Sequence, residues 1–104
     1  MLELQPNSEI FDIDLPAHSA EARICSYEFT YCVACADDLL NGVCPNCGGE
    51  QGPRPIRPIK AHRHGLNLGL TNHPASTKFR QKSWQREEIR AFVQPLNDIP
   101  PEQR

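Results

Sequence analysis

Two Cys-x-x-Cys pairs constrain this chain more than any other feature. Cys32 and Cys35 make one pair, Cys44 and Cys47 the other, with eight residues between them. A two-residue gap lets the backbone turn in a tight knuckle that aims both sulfurs at one ion, and four thiolates are what a tetrahedral structural zinc requires. The second pair reads Cys44-Pro45-Asn46-Cys47-Gly48-Gly49. There Pro45 fixes one turn dihedral, while Gly48 and Gly49 accept the positive φ that such turns often demand. The reading is one structural zinc on Cys32, Cys35, Cys44 and Cys47, with Cys25 as an additional candidate ligand. A closed thiolate shell has no open position for chemistry, so catalytic zinc does not follow. Two other uses of the thiols stay open. A disulfide scaffold needs an oxidising compartment, and a thioredoxin-type redox pair belongs at a helix start in a βαβ context.

At 104 residues the chain accommodates one small core, so the metal would supply much of the folding energy. No apolar run approaches the roughly 20 residues of a membrane span, and Met1-Leu2-Glu3-Leu4 is not the start of a secretory signal. A soluble cytoplasmic protein is the expectation. Charge divides the chain in two: residues 1–53 hold nine acidic side chains and one basic, residues 54–104 ten basic and four acidic. Different roles for the two halves, or docking of the basic tail on the acidic head within or between chains, would both follow from that asymmetry.

The expected organisation is a zinc-binding module over 1–52, a basic Pro/Gly-rich linker and loop over 53–77, an amphipathic helix over 78–94 and a disordered tail over 95–104. Within the module, Ala22 to Tyr31 alternates enough for a short strand or hairpin, and Ala36 to Gly42 reads as two helical turns stopped by Asn41-Gly42. In the linker, Pro53-Arg54-Pro55-Ile56-Arg57-Pro58-Ile59-Lys60 excludes a helix and reads as a semi-rigid basic spacer. His62, His64 and His73 have no recognised ligand spacing and read as exposed side chains. The helix is clearest over residues 83–93, with Ser83 as N-cap, Ile89, Phe92 and Val93 as an apolar stripe, and Pro95 as its stop.

Several pieces together resemble a family of short bacterial cysteine-rich proteins, the domain of unknown function 1272. They are Leu2-Glu3-Leu4-Gln5-Pro6-Asn7, Asp14-Leu15-Pro16, Arg23-Ile24-Cys25-Ser26-Tyr27-Glu28 and Cys44-Pro45-Asn46-Cys47-Gly48-Gly49-Glu50 with the Arg-Pro repeats after it. The resemblance runs from Met1 to about Pro58. It implies a small α+β zinc-stabilised module of zinc-ribbon or RING-like type, and no known activity. Family members carry cysteines where this chain has Ser8, Phe11 and Phe29, which would make four ligand pairs and two ions. A RING-like cross-brace would group positions 8 and 11 with Cys32 and Cys35, and positions 25 and 29 with Cys44 and Cys47. Sequential pairing would instead leave the Cys32, Cys35, Cys44, Cys47 site intact and concentrate the losses in one place, so it is preferred here. Phenylalanines could then hold by apolar packing what a metal held.

No catalytic constellation is visible, and the chain is read as non-enzymatic. The favoured function is a protein-binding or adaptor module with a structural zinc. One alternative is nucleic-acid association through residues 54–90, where Arg54, Arg57, Lys60, Lys78, Arg80, Lys82 and Arg86 interleave with aromatic residues such as Trp84. Another is a thiol-based redox or metal-responsive role.

Overall fold

The computed structural model describes residues 1–82 and 84–104; the expected N-cap Ser83 lies outside the described residues. The architecture is a small α+β arrangement around a three-stranded antiparallel sheet. Strands β1 (Ala22–Ile24) and β2 (Thr30–Cys32) form the expected hairpin, with Arg23 opposite Tyr31. Strand β3 (Gly52–Pro53) pairs with the other edge of β1, giving the order β2-β1-β3. Pro53, which has no N–H to donate, sits on an edge strand, where proline is tolerated.

Directly after β2 the chain makes one wide π-helical turn, Cys35–Leu39, in place of the two α-helical turns expected. The Leu40 N–H reaches back to the Cys35 carbonyl at 3.0 Å and the Gly42 N–H to the Ala36 carbonyl at 2.7 Å. The wide turn buries Ala36, Leu39 and Leu40 while Asp37 and Asp38 stay in solvent. Asn41 (φ 49°) and Gly42 (φ 76°) end it, in keeping with the expected stop.

Helix α1 spans Arg86–Asn97. Ile89 and Val93 are buried, four residues apart on one face, and Leu96 and Trp84 pack at the edge of the core. The expected helix begins near residue 78, but residues 78–82 form no helix, and Gln85 is extended (φ −76°, ψ 153°). Pro95 does not stop the helix; it lies in the last turn. Its missing N–H there costs only the bond to Ala91, and the chain continues one residue past Leu96.

The stretch before α1 has a partner. The Ser76 N–H donates to the Leu4 carbonyl at 2.9 Å and the Lys82 N–H to the Glu9 carbonyl at 2.6 Å. Between them, the Asn7 side chain brackets Arg80, accepting its N–H at 3.1 Å and donating to its carbonyl at 2.8 Å. Residues 76–82 therefore run alongside residues 4–9 in the same direction.

The segment expected to be a spacer is also docked. Arg54 is 3% exposed, and its guanidinium donates to the carbonyls of Gln5 (2.8 Å), Leu15 (3.1 Å) and Pro16 (2.9 Å). Arg57 donates to the carbonyls of Leu2 and His73, both at 2.7 Å. Two guanidiniums thus supply partners to backbone carbonyls of an N-terminal segment that has little secondary structure to satisfy them. The tail expected to be disordered makes a 3-10 turn over Pro101–Gln103, and Arg104 donates to the Gly48 carbonyl at 3.1 Å.

Candidate metal centre

The first part of the site is the hairpin turn between β1 and β2. The Cys25 N–H donates to the Phe29 carbonyl at 3.2 Å, and the Glu28 N–H donates to the Cys25 carbonyl at 3.0 Å. Glu28 takes a φ of 70° to close the turn. The backbone amides of Tyr27 and Phe29 lower the Cys25 thiol against the stronger effect of burial.

The second part closes with the same pair of bonds in a turn one residue longer. A bridge between Val43 and Glu50 closes the loop at its base. Inside it the Cys44 N–H donates to the Gly49 carbonyl and the Gly48 N–H to the Cys44 carbonyl, each at 2.8 Å. The Asn46 and Gly49 amides donate to the sulfurs of Cys44 and Cys47, each at 3.4 Å. Gly48, at φ 76°, fills the position that Glu28 holds in the first turn. A Cβ on Gly48 would also lie 3.1 Å from Leu96, so the glycine serves both the turn and the seating of α1.

The two turns face each other, and the sulfurs of Cys25, Cys44 and Cys47 lie within 4.8 Å of one another. In a tetrahedral site with bonds of about 2.3 Å, the sulfurs stand roughly 3.8 Å apart, so this spacing suits one ion. Cys25 and Cys44 are buried and Cys47 reaches solvent. Burial pushes the Cys25 thiol up, and Cys44 is pushed up to about 12, again chiefly by burial. Buried thiols in that state keep their protons until an ion displaces them. Amides aimed at sulfur are then the partners a bound thiolate needs.

Tyr31 supports the site from behind. It is fully buried, and its hydroxyl accepts a 2.7 Å bond from the Asn46 side-chain amide while lying 3.8 Å from the Cys44 sulfur. With the oxygen engaged by Asn46, its proton is free to point at Cys44. Burial, reinforced by the neighbouring Cys44 charge, pushes Tyr31 far above the ordinary phenol range, so the hydroxyl remains a donor.

The structure divides the expected quartet. Cys44 and Cys47 converge with Cys25, whereas Cys32 and Cys35 fall outside that group and approach each other, sulfur to sulfur, at 2.7 Å. Ser8, at one of the lost cysteine positions, places its hydroxyl 3.8 Å from the Cys35 sulfur. The grouping is the interleaved one, with Ser8 beside Cys35 and Cys25 beside the Cys44 knuckle. Sequential pairing, the grouping expected from the sequence, weighs lost ligands and not the turns that carry the remaining ones. The signal for Cys25 is its place at the hairpin bend between β1 and β2. Phe29 packs against the core, but Phe11 stays 41% exposed beneath the Arg86 guanidinium, 5.4 Å from its ring centre.

The basic residues put forward as contacts are mostly engaged within the chain. Arg54 and Arg57 hold carbonyls, Arg80 pairs with Glu3 at 3.1 Å, Arg86 covers Phe11, and Lys82 lies 5.8 Å from the centre of the half-buried Trp84 ring. Lys60 and Lys78 are exposed. Among the described residues, no histidine joins the cysteine group.

Comparison with known proteins adds a family. The family model described as "Protein of unknown function (DUF1272)" matches residues 1–57. An uncharacterized protein of Rhizobium meliloti (strain 1021) is 48% identical over 77 residues, which is 74% of this chain and 82% of that protein. No solved structure matches.

Proposed function

Because the chain belongs to the DUF1272 family of proteins of unknown function, whose model spans both turns of the site, we propose that it is a small non-enzymatic binding module folded around one structural zinc ion. The ligands in this reading are Cys25, Cys44 and Cys47. The convergence of these three sulfurs from a hairpin turn and an amide-lined knuckle is the observation that carries it. Thiolates favour zinc over harder cations such as magnesium or calcium. The interleaved use of a hairpin turn and a later knuckle favours a RING-like over a ribbon-like module.

Three protein ligands leave one tetrahedral position for water or a fourth donor, an arrangement that elsewhere serves catalysis. Catalysis would also need a base beside the metal-bound water. Among the described residues, no His, Asp or Glu belongs to the group. The zinc therefore serves a structural purpose in this reading, fixing Pro45 and Asn46 against α1. Those two residues, with Trp84, Glu88, Ile89 and Phe92, line an open groove of about 380 Å³. Phe92, 43% exposed, and Trp84 give it the aromatic character of a protein-contact surface.

The test is metal content per chain by native mass spectrometry, with and without a chelator. One zinc per chain is expected, lost together with folded structure in Cys44→Ser and retained in Cys32→Ser. Loss of the ion in both variants would favour the four-cysteine site instead, and no metal in the parent chain would end the structural-zinc reading.

A further inference from the structure

The Cys32–Cys35 pair takes no part in the metal centre, and its surroundings are specific. Cys32 ends β2 and Cys35 opens the helical turn that follows. Their sulfurs are 2.7 Å apart, against about 2.05 Å in a disulfide, so closure needs little backbone movement. The Cys35 N–H donates to the Cys32 sulfur at 3.4 Å. The nearest substitute for a third ligand is the Ser8 hydroxyl, a poor donor for a thiolate-preferring ion, and two thiols are too few for a structural site. Both cysteines are buried and neither lines the nearby cavity of about 230 Å³, whose wall includes Ala34, the residue preceding Cys35. Phe11, Asp38, Arg86 and Arg90 are among its walls, so it offers two guanidiniums against one carboxylate to a small anionic reagent.

We propose that Cys32 and Cys35 form a reversible dithiol–disulfide couple whose oxidant is a small anionic disulfide entering by this cavity. The Cys35 N–H that donates to the Cys32 sulfur favours the Cys32 thiolate, which makes Cys32 the first nucleophile. The Cys32 thiolate attacks one sulfur of the small disulfide, whose S–S bond breaks. One thiol leaves with the electron pair and takes a proton. Cys35, deprotonated, then attacks the Cys32 sulfur of the mixed disulfide and expels the second thiol. Two electrons and two protons pass in all from the cysteine pair to the small disulfide, leaving the Cys32–Cys35 bond.

This inference does not depend on the zinc reading. The experiment equilibrates the full chain, as purified, with oxidised and reduced glutathione over a range of ratios, without oxygen. Remaining thiols are alkylated and mapped by mass spectrometry, and metal per chain is recorded alongside. The expected result is joint loss of alkylation at Cys32 and Cys35, with a mass decrease of two hydrogens and unchanged metal content. Arg86→Ala with Arg90→Ala should slow closure by glutathione several-fold while leaving the equilibrium ratio unchanged. Cys32 and Cys35 remaining alkylatable at the most oxidising ratio would overturn the proposal. So would cross-links joining either of them to Cys25, Cys44 or Cys47, or a loss of bound metal in Cys32→Ala. If the parent chain carries no metal, the zinc reading falls while the alkylation pattern still decides this one.

Discussion

Glu9 is almost fully buried, and only one of its carboxylate oxygens is satisfied, by the Thr30 N–H at 3.1 Å. Burial raises its pKa above the ordinary 4.5, against the opposing pull of that bond and of Lys82 and Arg80. The folded chain therefore holds this proton more tightly than the unfolded chain does. Its contribution to stability is greatest below pH 4.5 and falls as pH rises toward the folded-state pKa, because the unfolded chain releases its proton first. Glu9→Gln removes the titration, so its melting temperature relative to the parent should climb with pH above 4.5, as read by thermal unfolding at a series of pH values. A flat difference would mean that Lys82 and Arg80 keep Glu9 ionised in the fold. At this scale the sequence was legible for residues that define a turn, Pro45, Gly48 and Asn41-Gly42 among them. It was not legible for the burial of Glu9 and Arg54, or for the partners of Cys25, which come from segments far away in the chain.

Among the elements, α1 was the most legible, because Ile89 and Val93 repeat at helical spacing. What its pattern did not reveal is where it begins: residues 78–82 have helix-compatible side chains, yet their backbone is committed to the N-terminal segment. Pro95 misled for a related reason, since a proline in a last turn sacrifices one bond and not a ladder. The helix is held chiefly by Ile89 and Val93, with Leu96 against Gly48. Ile89→Ala should cost about 2–4 kcal/mol, the range for deleting a buried aliphatic side chain, measured by denaturant unfolding. Phe92→Ala, at an exposed position on the same helix, should cost under about 1 kcal/mol. Equal losses at both positions would mean that Phe92 is buried in solution by something beyond this chain. The hairpin was legible from its alternation. The π-helical turn was not, because its width follows from burying Leu39 and Leu40 together.

For the whole molecule, the charge asymmetry pointed to two regions, and the structure joins them. The C-terminal half supplies Arg54 and Arg57 to N-terminal carbonyls, the stretch 76–82 to residues 4–9, and α1 to the Cys44 knuckle. A chain ending after residue 75 should therefore melt at a temperature at least about 5 °C below the full chain, since it loses this pairing and the α1 contacts, each worth more than about 1 kcal/mol. An unchanged melting temperature would show that the family-matched segment holds itself together. The spacing of the partners has a consequence during synthesis. Leu4 leaves the ribosome early, but its hydrogen-bond partner Ser76 is 72 residues behind, so at roughly 5–20 residues per second the first segment waits several seconds for it. In that interval the cysteines of the hairpin and knuckle emerge and can begin to gather, while the carbonyls of Leu4 and Glu9 wait for the partners that Ser76 and Lys82 bring.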